Sequence, residues 1–328
     1  MKKLEQQQID SFRGFIDSHN FFFIAGHKEP DGDCIASCLG IAGILKHFGK
    51  EHLLLSAGPF KRTEIQDFAP LFASEPPFLS ECDMKNAALI ICDCSEIMRL
   101  GDFGESLKSL DAFVIDHHKT AGCPEGALSI VDSSAPAACA LVQSLYEHLA
   151  GEIPKDIAEI LFFGLMTDTG FFRFLTNADA DILEAASRLI KAGADPRKTY
   201  GKMTGGKAWN TRKLLGIVLE RAERRLDGKL ILTYETQDDT HKWGQEGRDT
   251  DALYSALLCV KGVEAVVFIR QESDTSCTIG FRSNDKADVS AVAAKFGGDG
   301  HKNAAGCSTN GRLETLIPSV IKEFARIL

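Results

Sequence analysis

The sequence predicts an α/β protein of two domains: a parallel sheet covered by helices on both faces, followed by a smaller α/β unit. Three observations carry this. The chain has 328 residues, more than one hydrophobic core usually serves. Its strand-like runs are short and apolar on both sides, as strands buried between two layers must be. Those runs alternate with stretches of helical spacing, the order expected of parallel strands joined by crossovers.

Residues 4–19 carry the spacing of an amphipathic helix, and "FFFIAG" (Phe21–Gly26) reads as the first strand. Asp33–Phe48 follows as a helix. "HLLLSA", "AALIIC" (Ala87–Cys92), "AFVI" (Ala112–Ile115) and "ALSIV" continue the strands, with helices at Ala135–Leu149 and Pro154–Met166. Beyond Thr176 the chain becomes charged and helical around "GKMTGGK". Strands resume with "KLILTYET", "VEAVVFIR" and "TSCTIGFR". Helices at Asp249–Val260, Asp288–Phe296 and Leu313–Leu328 accompany them, with a glycine-rich turn before the last. The expected division is a larger domain at 1–185, a helical connector at 186–226 and a smaller domain at 227–328, forming two lobes around a cleft.

Composition narrows the function classes. At 44% hydrophobic and 25% charged, with no uncharged apolar run long enough to cross a bilayer, the sequence is not that of a membrane protein. The start "MKKLEQQQID" turns polar at once, unlike a secretory signal. Ten cysteines are scattered without a CxxC pair, several inside apolar runs (Cys38, Cys92, Cys139, Cys277), which suits reduced core thiols and a cytoplasmic location. A net charge of −9 argues against a basic stripe for long duplex nucleic acid, but not against a short nucleotide held by a few cations.

Acids and histidines gather where apolar strands stop. "HKEPDGD" brings His27, Asp31 and Asp33; "IICDCS" brings Asp93; "VIDHH" brings Asp116, His117 and His118; "GLMTDTGFF" brings Asp168 at the end of a helical run. In an open parallel sheet the strand carboxyl ends share one edge, where ligands bind. Two bare carboxylates ~4 Å apart repel by roughly 4 kcal/mol at an effective dielectric near 20, so a group of them calls for cations. Mixed oxygen and imidazole ligands suit manganese, iron, cobalt or zinc better than magnesium or calcium. A pair of such ions activates water and clamps the attacking and leaving oxygens of a phosphoryl group. Singly, each residue has an ordinary reading: Asp33 and Asp93 suit helix N-caps, His117 a core histidine, Asp168 a turn. Their shared register relative to the strands favours the metal reading.

In order and spacing these motifs resemble the DHH phosphoesterases. "HKEPDGDCIAS" looks like the first motif, "ICD" the second, "DHH" the third and "TDTG" the fourth; "IGFRSN" (Ile279–Asn284) and "DVSAVAAKFGGDGHKNAAGC" (Asp288–Cys307) look like the DHH-associated domain. The chain is most similar to the nanoRNase type, oligoribonucleases that also dephosphorylate 3′-phosphoadenosine 5′-phosphate. The resemblance implies two divalent ions, with manganese expected. His27, Asp31 and Asp93 would hold one, and Asp33, Asp93, His117 and Asp168 the other, with Asp93 bridging. His118 would face the phosphate, and Asp116 would orient an imidazole.

In the second domain Arg282 suits a terminal phosphate through its forked donors, and Ser283 offers a hydroxyl. Gly297, Gly298 and Gly300 would allow close backbone approach beside His301, or simply a tight turn. Three positions depart from the family pattern: Asp299 in the glycine run, where an acid would repel a phosphate or redirect the loop; Ala121 in place of asparagine; and Ala36 in place of glycine. Lys28, Lys119 and Lys302 neighbour motif residues but read as surface charges, and Phe171 and Phe172 read as core before base platforms.

The expected activity is metal-dependent hydrolysis of short oligoribonucleotides to 5′-mononucleotides, of 3′-phosphoadenosine 5′-phosphate to AMP and phosphate, or of both. The partners would be those small substrates, with no membrane and no long duplex; the oligomeric state, a homodimer included, is left open. A phosphodiesterase of linear or cyclic dinucleotides is the alternative. A non-catalytic nucleotide sensor would have lost ligands, and none is lost.

Overall fold

The computed structural model describes residues 3–77, 86–119, 122–284 and 286–328; Ala121 lies outside them. The chain forms two compact units, Met1–Gly206 and Lys207–Leu328.

In the first unit, β1 (Phe21–Gly26), β2 (Glu51–Leu55), β3 (Ala87–Cys92), β4 (Asp111–Asp116) and β5 (Leu128–Val131) pair in parallel, in the order β2-β1-β3-β4-β5. Every residue of β3 is buried, which explains its unbroken apolar run. Helices α1 (Gln6–Ser18), α2 (Gly32–His47), α3 (Ala138–Leu149) and α4 (Lys155–Asp168) cover one face. Phe12 and Ile16 of α1, Ile41 and Leu45 of α2, Leu141 of α3 and Leu161 of α4 join Phe22, Ile24, Ile90 and Phe113 in its core. The other face (Phe23, Leu89, Ile91, Val114) is covered by Leu100, Phe103 and Leu107 on and beside the short helical turns Ile97–Leu100 and Gly104–Leu107.

The crossing of α2 and α4 depends on small residues. A Cβ on Gly164 would lie 2.3 Å from the Ala36 methyl, and one on Gly32 would lie 2.4 Å from Thr167 Oγ1. The Ala36 departure is therefore accommodated by the glycine facing it.

Residues 186–226, expected as a connector, are divided between the two units. α5 (Ala180–Lys191) buries Ile182, Ala186 and Leu189 in the first core, and α6 (Pro196–Thr204) follows it in the same unit. α7 (Trp209–Glu220) buries Leu214 and Val218 in the second. Each amphipathic stripe is spent on its own core.

The second unit holds a six-stranded sheet in the order β10-β11-β9-β8-β7-β6. Its strands are β6 (Glu223–Arg225), β7 (Leu230–Glu235), β8 (Ala265–Ser273), β9 (Ser276–Ser283), β10 (Asp299–His301) and β11 (Ala304–Asn310). The pair β7–β8 is parallel and the other pairs are antiparallel. Strict alternation along β9 sends Ile279 and Phe281 into a core with α10 (Val289–Lys295) and α11 (Leu313–Phe324). The opposite face packs Val266 and Phe268 on α7 and α9 (Thr250–Leu258), while α8 (Gln237–Trp243) follows β7. The glycine-rich stretch expected as a turn is a hairpin, β10–β11. Its pairing is made by backbone groups, which leave no apolar signature in sequence.

No helix among the described residues is long and apolar enough to cross a membrane. The described cysteines are free thiols, most of them buried.

Candidate metal centre

Register places the site. Gly26 of β1 pairs with Cys92 of β3, and Cys92 pairs with Ile115 of β4, so His27, Asp93 and Asp116 leave three adjacent strands at one level. The chain runs from β1 outward to β2, then returns to place β3 on the other side of β1. His27 and Asp93 thus stand at the topological switch point, the crevice where parallel sheets bind ligands. α2 opens beside them with Asp31 as its N-cap, its Oδ1 accepting from the N–H groups of Asp33 and Cys34 at 3.1 Å each. Asp168 is the last residue of α4, brought in by the close crossing with α2.

Asp33, expected as a possible cap of its own helix, instead reaches the start of α3. Its carboxylate accepts from the N–H groups of Ala138 at 2.6 Å and Cys139 at 2.8 Å. The helix N-terminus holds it in place and complements its charge.

The imidazoles face the acids. His27 Nε2 lies 3.4 Å from Asp93 Oδ2 and 3.9 Å from Asp31 Oδ1. His117 Nε2 lies 3.3 Å from Asp93 Oδ1, 3.4 Å from Asp168 Oδ2 and 3.8 Å from Asp33 Oδ2. In both rings Nδ1 sits against a backbone carbonyl, of Lys28 at 3.0 Å and of Ala135 at 3.2 Å. Donation there fixes the ring and commits Nε2 to the pocket. Asp116 is fully buried. Its Oδ1 accepts from the His117 N–H, the His118 N–H and His118 Nδ1 at 2.7 Å, and its Oδ2 from Ser95 Oγ at 2.6 Å. The imidazole it orients is therefore that of His118, and the His117 ring is held by Ala135.

Two features mark this pocket as built for cations. Asp93 Oδ1 is buried and has no hydrogen-bond partner among the described residues, an arrangement that costs free energy unless something else satisfies it. The acids also crowd one another. Burial, then the carboxylates of Asp93 and Asp168, raises the pKa of Asp33 well above the usual range; burial, then Asp93 and Asp31, raises that of Asp168 to about 7. Burial works against a charged His27, but Asp31 and Asp93 outweigh it and raise the ring to about 12; in the same way Asp93 and Asp33 raise His117 to about 10. His118 and Ser95 hold Asp116 well below the ordinary carboxylate range against its burial. Ligand-type atoms of Asp33, His117 and Asp168 lie within 4.8 Å of one another, as do those of Asp93, His117 and His118. The donor set of carboxylate oxygens and imidazole nitrogens fits divalent first-row metals.

Backbone strain gathers here as well. Among the described residues six non-glycine positions have left-handed φ, and four of them (Glu29, Asp93, Phe171, Phe172) flank the motifs. Phe171 and Phe172 are half-buried against the core, with Phe171 edge-on to Tyr200. Lys28, Lys119 and Lys302 are exposed.

Sequence reasoning passed over two residues. Cys34 Sγ lies within 4.8 Å of ligand atoms of both His27 and Asp93. Ser95 anchors Asp116. Each stands one or two positions beyond a motif acid, which was the available signal.

In the second unit Arg282, Asp299 and Gly300 line a cavity of about 400 Å³, and strand pairing sets His301 in the same cross-strand row as Arg282. Ser283 is not among them. It points to the other face, buried, with Oγ donating to the Ala287 carbonyl at 2.6 Å, so its expected substrate contact is corrected to a structural one. Gly298 answers to packing: a Cβ there would lie 2.3 Å from the Gly306 carbonyl.

The DHH family N-terminal domain matches residues 22–165, and the DHHA1 domain matches residues 228–328. Over 314 residues, 93% of this chain and 90% of the relative, the sequence is 29% identical to the bifunctional oligoribonuclease and PAP phosphatase NrnA of Thermus thermophilus. It is 23% identical to a probable manganese-dependent inorganic pyrophosphatase of Bacillus licheniformis, over 81% of this chain and 87% of that one. An exopolyphosphatase-related protein from Bacteroides fragilis, 23% identical, superposes with a TM-score of 0.85 over 99% of this chain and 98% of its own, which is the same fold. With matched domains spanning both units, the chain belongs to the DHH family and carries a DHHA1 domain.

Proposed function

We propose that this protein is a manganese-dependent phosphoesterase of short nucleotides. It hydrolyses small oligoribonucleotides to 5′-mononucleotides, removes phosphate from 3′-phosphoadenosine 5′-phosphate, or does both. The observation that carries the reading is Asp93: one oxygen faces His27 at 3.4 Å, the other faces His117 at 3.3 Å, and the latter oxygen is buried without a hydrogen-bond donor among the described residues. A carboxylate so placed suits a bridge between two cation positions. His27 and Asp31 complete one position; Asp33, His117 and Asp168 complete the other. The likeness to a protein named oligoribonuclease and PAP phosphatase, over nearly the whole chain, supports the substrate class.

Bound divalent ions supply water activation and offset negative charge on a phosphoryl group. The chain's own residues do the rest. Asp116 takes Nδ1 of His118, so Nε2 is the nitrogen that meets a phosphoryl oxygen. The His118 side chain is 39% exposed, against 15% for His117, which suits a substrate contact for the first and a metal contact for the second. Arg282 grips a substrate phosphate in the second unit.

The test is phosphate and mononucleotide release with Mn²⁺ from a panel of di- to pentaribonucleotides, 3′-phosphoadenosine 5′-phosphate, and linear and cyclic dinucleotides. Turnover of the short ribonucleotides or the bisphosphate is expected. Tight nucleotide binding without turnover of any of them would defeat the proposal.

A further inference from the structure

One face of the second sheet has an open end. The pairing of β10, β11 and β9 puts Asp299, Gly306 and Gly280 in one cross-strand row, and His301, Ala304 and Arg282 two positions on. Residues two apart on a strand share a face, so both rows project the same way. α9 covers this face as far as Tyr254, whose hydroxyl sits 2.2 Å from where a Cβ on Gly280 would be. The space beyond is the cavity of about 400 Å³, lined by Tyr254, Arg270, Arg282, Asp299 and Gly300 among others.

The charges in this cavity are set firmly. The Arg282 guanidinium lies 4.7 Å over the Tyr254 ring, and its Nη1 donates to the Phe281 carbonyl at 2.9 Å. Asp299 leaves the hairpin undisturbed: pairing runs from Asp299–Gly306 through Gly300–Ala305 to His301–Ala304 without a break. Its Oδ1 accepts the Gly300 N–H at 2.7 Å, which holds the carboxylate at the rim of the same cavity as the two arginines. Of the two consequences expected of an acid here, redirecting the loop and opposing a phosphate, the geometry leaves the second.

We propose that Asp299 is a specificity residue that opposes the pull of Arg282 on a terminal phosphate in this cavity, and so narrows the preference for nucleotides ending there in a phosphate over those ending in a hydroxyl. The inference rests on the function proposed above and on Arg282 as a phosphate contact. A terminal phosphate carries about −1.5 to −2 charges at pH 7, and a hydroxyl carries none. Repulsion by Asp299 therefore falls on the phosphorylated end alone. With water-like screening and a separation on the order of 6–8 Å, removing it is worth roughly five- to tenfold in relative affinity.

The experiment uses the full-length protein with Mn²⁺ and two pairs of diadenylates: with and without a 5′-phosphate, and with and without a 3′-phosphate. Asp299→Asn removes the charge while keeping an oxygen for the Gly300 N–H, and Asp299→Ser serves as a second variant. For one of the two pairs, both variants should raise the ratio of kcat/KM for the phosphorylated to the unphosphorylated member by five- to tenfold, through KM. The gain should shrink as salt rises from about 50 to about 500 mM. Ratios within twofold of wild type for both pairs would overturn the assignment of Asp299 while leaving the activity intact. Wild-type protein inactive on all four would instead sink the proposed function, and this inference with it.

Discussion

Loading metal-stripped protein with Mn²⁺ should expel protons, and their number follows from the charges of the site. The pKa of His27 is raised to about 12 and that of His117 to about 10, because neighbouring carboxylates outweigh the cost of burying each charged ring. Both stand far above pH 7.5, so both rings carry Nε2–H as well as Nδ1–H. Nδ1 is taken in each case by a backbone carbonyl, which leaves Nε2 as the nitrogen a cation must use. Each ring then surrenders one proton. Asp33, raised well above its ordinary value first by burial and then by Asp93 and Asp168, adds up to one more. Asp168, raised to about 7, adds about a quarter of a proton at pH 7.5. The expected release is about two to three protons for two ions. Isothermal titration calorimetry with Mn²⁺ in PIPES and in Tris, whose ionisation enthalpies differ, reads that number as the slope of observed against buffer enthalpy. Apparent affinity should climb with pH and begin to level near pH 10, where His117 gives up its proton unaided. A slope below one proton would refute the reasoning, because the imidazoles would then be neutral before the metal arrives or would not be its ligands.

The same proton inventory governs stability. The raised rings stabilise the folded, metal-stripped protein fully below about pH 6.5, and that contribution is lost as pH rises through the folded value of about 10 for His117; the raised Asp168 likewise costs stability as pH climbs from its unfolded value of 3.8 through about 7. Urea midpoints should therefore fall from pH 6 to pH 9 in EDTA and stay flatter with saturating Mn²⁺. Asp93→Asn keeps a residue tolerant of left-handed φ but removes the shared charge; bound manganese by elemental analysis should fall, and turnover should drop at least about 100-fold. Ser95→Ala takes a buried donor from Asp116 and should cost about 1–3 kcal/mol in urea unfolding, with a loss of turnover through His118. Gly164→Ala sets a methyl 2.3 Å from that of Ala36 and should cost about 1–3 kcal/mol, with weakened Mn²⁺ binding as α4 and Asp168 are pushed away from α2.

The first unit was the legible half of this protein, and the reason is burial. β1, β3 and β4 are covered on both faces, so each appears in sequence as an apolar run closed by a polar residue, and the closing residues were the site. Legibility failed where structure is made by backbone. β6 and β10 are exposed along their length, with pairing that leaves no side-chain pattern. Ser283 misled for a related reason. Beside Arg282 it looked like a second substrate contact, but adjacent strand residues face opposite ways, and only Arg282 shares the face of Asp299 and His301. The position of Asp33 at the start of α3 joins residues more than one hundred positions apart, a contact that no local spacing encodes. Within 186–226, charge along α5 and α7 concealed narrow apolar stripes that each unit uses.

Why the site should tolerate so much unfavourable local structure has one physical answer. A carboxylate oxygen of Asp93 left without a hydrogen bond, two carboxyls forced toward their neutral forms and left-handed backbone at Asp93, Phe171 and Phe172 each cost stability, and none is required by the sheet. Asp93, left-handed and directly after β3, turns one oxygen to His27 and the other to His117. The Asp116–Ser95 pair shows the alternative treatment within the same few residues: an acid with no expected metal contact is buried, fully supplied with donors and held firmly ionised. Satisfied and unsatisfied carboxylates thus sit at neighbouring strand ends, and the difference between them is what separates a group that orients from a group reserved for a cation.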